Sequence, residues 1–136
     1  MLCRFGKFAS HAPALTKVHT LTYLQTLSPA LSLPVIAESI LPILQTLSGD
    51  QIPNIRFNVA KSYAVIIDSL KRLPDSNETL ITMEKEGKPL KGSERGDQII
   101  REEVLPTLEK LSNDEDVDVR FFASSAAKSY GDAMQT

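Results

Sequence analysis

The segment Gly49 to Ile66 reads GDQIPNIRFNVAKSYAVI, and Asn113 to Tyr130, sixty-four positions on, reads NDEDVDVRFFASSAAKSY. A shift of 64 lays Leu41 on Leu105, Pro42 on Pro106, Leu44 on Leu108 and Leu47 on Leu111. The same shift lays Ser48 on Ser112, Asp50 on Asp114, Arg56 on Arg120 and Phe57 on Phe121, with no gap. An internal repeat restricts the fold strongly, because one short unit cannot bury its own apolar face and must stack on a neighbour. The 136 residues leave room for one stacked domain, 1–136, and no second core.

Each copy predicts helix, turn, helix, which makes the fold class all-α: a short α-solenoid of antiparallel helix pairs. In the first full pair, 33–74, Ile36, Ile40, Ile43 and Leu47 fall on one helical face. Gly49-Asp50 makes the turn, and Asn54 offers a side-chain acceptor as N-cap of the next helix. That helix carries Ile55, Val59, Tyr63, Ile66, Leu70 and Leu73, and Pro74 stops it. In the last pair, 98–131, Ile100, Val104, Leu108 and Leu111 form the first stripe. Asp118 is the expected N-cap there, followed by Val119, Phe122, Ala126 and Tyr130. Residues 17–32 predict one helix of a partial preceding repeat, with Val18, Leu21, Leu24 and Leu27 inward. Pro42 and Pro106 sit inside the first helices, where proline removes an amide and predicts a kink. A period of 64 exceeds the roughly 40 to 47 residues of common helix-pair repeats. The glycine-rich, charged stretch Thr82 to Asp97 accounts for the excess as a flexible inserted loop, 82–97, expected on the edge opposite the within-pair turns.

Composition removes several functions. A net charge of -2 gives no basic face for nucleic acid, and no apolar run nears the roughly 18 residues of a membrane span. Cys3 is the only cysteine, so neither an intrachain disulfide nor a thiolate metal cluster is expected. Residues 1–37 have no Asp or Glu but carry Arg4, Lys7 and Lys17. This composition faintly resembles a mitochondrial presequence; the plainer reading is a helix that lacks acids or an odd start to a truncated chain. Asp114, Asp116 and Asp118 match the first calcium-loop positions, but Val119 and Ser125 stand where Gly and Glu are needed. An acidic turn before a helix N-terminus explains them better. Ser125 and Lys128 match Ser-x-x-Lys without its partner motifs, His11 and His19 have no chemical partner at useful spacing, and no phosphate loop occurs. Asn77-Glu78-Thr79 is a sequon without a signal peptide. No catalytic residue, cofactor or metal is expected, so the chain reads as a non-enzyme.

At PNIRFNVAKS and DEDVDVRFFA the sequence resembles the C-terminal HEAT repeats of the scaffold (A, structural) subunits of protein phosphatase 2A. The likeness runs from about Lys17 to Tyr130 and weakens before Leu33. Met1 to Thr16 and the loop Thr82 to Asp97 have no counterpart in that pattern. The resemblance implies a non-catalytic scaffold, cytoplasmic and/or nuclear, that holds the phosphatase catalytic subunit through its turn edge. Gln51, Pro53, Asn54, Glu115, Asp116 and Asp118 are the implied contact residues. Asp50, Arg56, Asp114 and Arg120 are the implied ladder that ties neighbouring turns together. The variable regulatory subunit is held by distant N-terminal repeats in that family and is not an expected partner here. The alternatives are another HEAT-type protein–protein module, a truncated non-functional paralogue, and self-association through an exposed terminal face.

Overall fold

A computed structural model describes the backbone of residues 12–135 and the side chains of 12–131. Cys3, Arg4, Lys7 and His11 lie outside the described residues. Helix α1 spans Ala14–Leu27 and closes in a 3-10 turn at Ser28–Ala30. Helix α2 is continuous through Leu33–Val35, Ile36–Ile40 and Leu41–Leu47. Helix α3 spans Pro53–Leu70, and a short α4 spans Leu80–Lys85. Helix α5 runs through Glu94–Ile99, Ile100–Val104 and Leu105–Leu111, and α6 spans Val117–Gln135. The described residues are helices and their links, without a strand. The architecture is a HEAT-type α-solenoid fragment of stacked antiparallel pairs.

The sequence stripes build the core directly. Ile36, Ile40, Ile43 and Leu47 of α2, and Ile100, Val104, Leu108 and Leu111 of α5, are buried. Ile55, Val59, Tyr63, Ile66 and Leu70 of α3 are buried with them. Helix α3 lies in the middle of one layer, packed on α1 to one side and α6 to the other. It is therefore enclosed on more sides than any other helix, which fits its buried polar residues Ser62 and Ser69. Gln25 of α1 reaches Ser62 Oγ at 3.2 Å and bonds that hydroxyl across the interface. Leu27, expected inward, is exposed: six residues beyond buried Leu21, it falls about 120° away from it round the helix. Helix α3 stops at Leu70, four residues before Pro74, although Leu73 remains buried.

Pro42 and Pro106 are accommodated by a change of hydrogen-bond register. Immediately before each, the helix widens into a π turn, Ile36–Ile40 and Ile100–Val104. The amide of Leu41 donates to Ile36, and that of Leu105 to Ile100, five residues back in both cases. Each proline then occupies the first turn of the resumed α-helix, where a missing amide costs least. Both copies solve the same problem in the same way.

The segment 82–97 differs from the expected flexible loop. Thr79 caps α4 by a reciprocal bond with Thr82, and α4 buries Leu80 and Met83. Ser93 caps α5 through the amide of Gly96. Gly92 and Gly96 lie against the end of α3: a Cβ would sit 2.4 Å from the Lys71 carbonyl oxygen and 2.7 Å from that of Leu70. Both glycines are needed for close backbone approach. Helix therefore occupies both ends of the segment. Its contacts lie at the C-terminal end of α3, on the edge opposite the within-pair turns.

Candidate functional site: the turn edge

The two within-pair turns are built alike. In the first, the Asp50 amide closes onto Leu47 at 3.1 Å, and Asp50 Oδ1 accepts the Ile52 amide at 3.0 Å. Arg56 Nη1 then donates to the Asp50 carbonyl at 2.8 Å. In the second, Asp114 closes onto Leu111 at 3.1 Å, Asp114 Oδ1 accepts the Asp116 amide at 2.9 Å, and Arg120 Nη1 reaches the Asp114 carbonyl at 2.7 Å. The aspartates thus shape their own turns, and the arginines brace them from the first turn of the following helix.

The carboxylates have a second task. Arg56 grips Asp114 of the next turn through two parallel bonds, Nε to Oδ2 at 2.7 Å and Nη2 to Oδ1 at 3.0 Å. Lys17 of α1 reaches Asp50 in the same sense at 2.7 Å. Each cation therefore binds the carboxylate of the following turn, while Arg56 also holds the backbone carbonyl of its own. The paired side chains retain only 9 to 11% exposure. Burial alone would raise the Asp114 carboxyl, but the Arg56 hydrogen bond, the Asp116 amide and the charges of Arg56 and Arg120 hold it below its ordinary value. Burial opposes ionisation at Asp50 too, and Lys17, the Ile52 amide and Arg56 overcome it. Arg120 repeats the brace of Arg56 but is exposed and has no acidic side-chain partner among the described residues.

Lys17 joins the ladder although the repeated turns alone do not point to it. Its signal is spacing: it stands 39 residues before Arg56, close to the roughly 40-residue period of helix-pair repeats. The expected caps also move. Helix α3 begins at Pro53, so Asn54 lies inside its first turn, and Ile52 precedes the helix without a side-chain cap. Asp116, not Asp118, caps α6: its Oδ1 accepts the amides of Asp118 at 2.9 Å and Val119 at 3.1 Å. Proline takes the first helical position at α3, and the acceptor nearest the free amides of α6 is Asp116.

The six proposed contact residues lie along this one edge in two depressions. Gln51 and Glu115 line a groove between the turns together with Gly49, Lys110 and Asn113, with Arg56 and Asp114 in its wall. Pro53, Asn54, Asp116 and Asp118 line a smaller notch beside Phe57. The carboxylates of Asp114 and Asp116 are committed to Arg56 and to backbone amides. No three His, Cys, Asp or Glu side chains among the described residues form a metal-binding group. Ser125, Lys128 and His19 are exposed, and Thr79 serves as a helix cap.

Stacked helix pairs, a braced turn edge and charge links between successive turns define a helical-repeat stack of HEAT type. Two proteins the chain is similar to are regulatory (A) subunits of protein phosphatase PP2A. The chain is 41% identical to that of Saccharomyces cerevisiae over 106 residues, covering 78% of this chain and 14% of the yeast protein. It is 43% identical to the Schizosaccharomyces pombe protein of the same name over 63 residues, covering 46% of this chain and 11% of the other. The chain is thus homologous to a small part of each of these proteins. No family model matches it.

Proposed function

We propose that the chain acts as a non-catalytic scaffold segment whose turn edge holds a phosphatase catalytic subunit. The observation that carries this reading is the Arg56–Asp114 link, which fixes two exposed turns in one register along one edge. Homology to the PP2A regulatory (A) subunits supplies the class of partner. A scaffold works by presenting contacts in fixed order, and here Gln51, Pro53, Asn54, Glu115 and Asp118 are displayed by turns that cannot slide past each other without breaking a buried ion pair. Asp116 contributes by capping α6, so it is a poor choice for testing contact.

The test is capture of purified PP2A catalytic subunit by the wild-type chain and by Glu115→Lys/Asp118→Asn. These two side chains are exposed and outside the core. Loss of the Asp118 charge beside the α6 N-terminus should cost no more than about 1 kcal/mol of stability. At an interface, reversed charge disfavours contact far more. Matched circular dichroism with capture reduced at least tenfold is the expected result. Equal capture by both chains would remove the acidic turn from the interface. Capture by neither would favour another HEAT-type protein–protein module.

A further inference from the structure

The groove between the two turns carries a charge that the contact set above does not use. It has a volume of about 840 Å³ and crosses from Ser48, Gly49 and Gln51 on the first turn to Lys110, Asn113 and Glu115 on the second. Its inner carboxylates are already neutralised, Asp50 by Lys17 and Asp114 by Arg56. Lys110 is different. It stands in the last turn of α5 with an exposed side chain, and no carboxylate among the described residues pairs with its ammonium group. A lysine at a helix C-terminus favours the helix through its dipole. The repeat does not need one for that purpose, since the 64-residue shift sets Thr46 against Lys110. The same shift sets Gly49 against Asn113. Gly49 has no positive φ, and a Cβ there would meet only the Thr46 carbonyl oxygen, at 3.9 Å. The backbone would accept a side chain, and its absence leaves the first wall of the groove open. Among the described residues the Gln51 carboxamide makes no hydrogen bond, and Asn113 uses only Nδ2, on the Glu109 carbonyl at 3.0 Å. Free amide groups on both walls suit the alternating N–H and C=O groups of an extended backbone.

We infer that this groove takes an extended segment of the phosphatase catalytic subunit, with an Asp or Glu side chain of that segment seated on Lys110. The inference rests on the turn-edge contact proposed above and adds to it a residue and the chemistry that the residue selects. The segment has a polarity. Its carboxylate lies at the α5 end of the second turn, over Lys110. Glu115 is 90% exposed at the α6 end of the same turn and repels a second carboxylate there. The Arg56–Asp114 pair in the groove wall keeps the two ends in fixed register.

The experiment measures the affinity of purified PP2A catalytic subunit for the full chain and its variants. Lys110→Glu should weaken binding about tenfold, Lys110→Gln by less, and Lys110→Arg should retain it, because reversing one member of an interfacial charge pair disfavours contact. Lys91→Glu makes the same change of net charge at an exposed position on the opposite edge and should leave binding unchanged. Equal weakening by Lys91→Glu would mean long-range attraction in place of a seat in the groove, and would overturn the inference. Gly49→Gln should weaken binding by narrowing the groove. Binding unaffected by Gly49→Gln would mean that the partner lies across the turns without entering, which overturns it too. Unchanged binding by Lys110→Glu, with loss in Glu115→Lys/Asp118→Asn, overturns this inference and leaves the turn-edge contact standing. Absence of binding by the wild-type chain removes both. Circular dichroism melts check folding; where Lys110→Glu lowers the melt through the helix dipole, Lys110→Gln carries the comparison.

Discussion

Asp114 does three jobs with one side chain and one carbonyl: it shapes its turn, accepts two bonds from Arg56, and lets Arg120 brace from behind. Exposed ion pairs contribute little, about 0 to 1 kcal/mol. This one is largely withdrawn from water and bidentate, so removing the carboxylate strands a guanidinium. Asp114→Asn should cost about 1.5–3 kcal/mol, the range for hydrogen bonds to charged groups, read as a lower midpoint in urea. The pH dependence has a definite sign. The folded-state pKa of Asp114 and of Asp50 is lowered, so both contribute stability fully above the unfolded carboxyl value of about 3.9. That contribution is lost as pH falls below about 4 towards the lower folded-state values. Urea midpoints measured between pH 7 and pH 3 should therefore fall more for wild type than for Asp114→Asn. Parallel curves would show that the pair does not couple to folding.

Helix α3 carries the stack, because among the described helices it is the one packed between two others, α1 and α6, within its layer. Val59 is wholly buried at its centre. Val59→Asp places an unpaired charge there, and a penalty of several kcal/mol is comparable to the roughly 5–15 kcal/mol that stabilises an ordinary domain. Loss of helical circular dichroism at 25 °C is expected; an unchanged spectrum and melt would reject the central role of α3. The link after α3 is also structural. Deleting Thr82 to Asp97 removes buried Met83, the Ser93 cap and the Gly96 contact, so the melting temperature should drop, while binding at the opposite edge persists in the folded fraction. An unchanged melt would mean that these contacts contribute nothing. The stripes of α2, α3 and α5 were legible because periodicity reports a buried face directly. Of the ladder, Asp50, Arg56 and Asp114 were legible but not their register, since sequence does not say whether Arg56 serves Asp50 or Asp114; Lys17 was missed, and Arg120 bonds only its own turn among the described residues. The π turns were not legible: proline predicts a disturbed helix, but not whether it bends or changes hydrogen-bond register. Asp116 and Asp118 alternate so closely that only the helix start, at Val117, decides which one caps.

The whole molecule is a stack with two unlike ends. About three repeats are usually needed for a stable array, with polar faces on the outermost helices. Here two full pairs and α1 are present, and the outer face of α1 exposes Leu15, Tyr23 and Leu27 while its only described cation, Lys17, is turned inward to Asp50. Among the described residues, water therefore meets an apolar face of α1 without a charge on it. The 136-residue chain should melt no higher than the roughly 45–65 °C of ordinary domains and associate as its concentration rises. The apolar end of α1 makes a specific claim about which surface is responsible. Leu15→Lys/Tyr23→Lys should suppress association in sedimentation velocity without lowering the melting temperature, because both side chains already lie in solvent. A monomeric chain at high concentration with a cooperative melt above about 70 °C, beyond the ordinary range, would show that the end faces are adequately solvated and that two and a half repeats suffice.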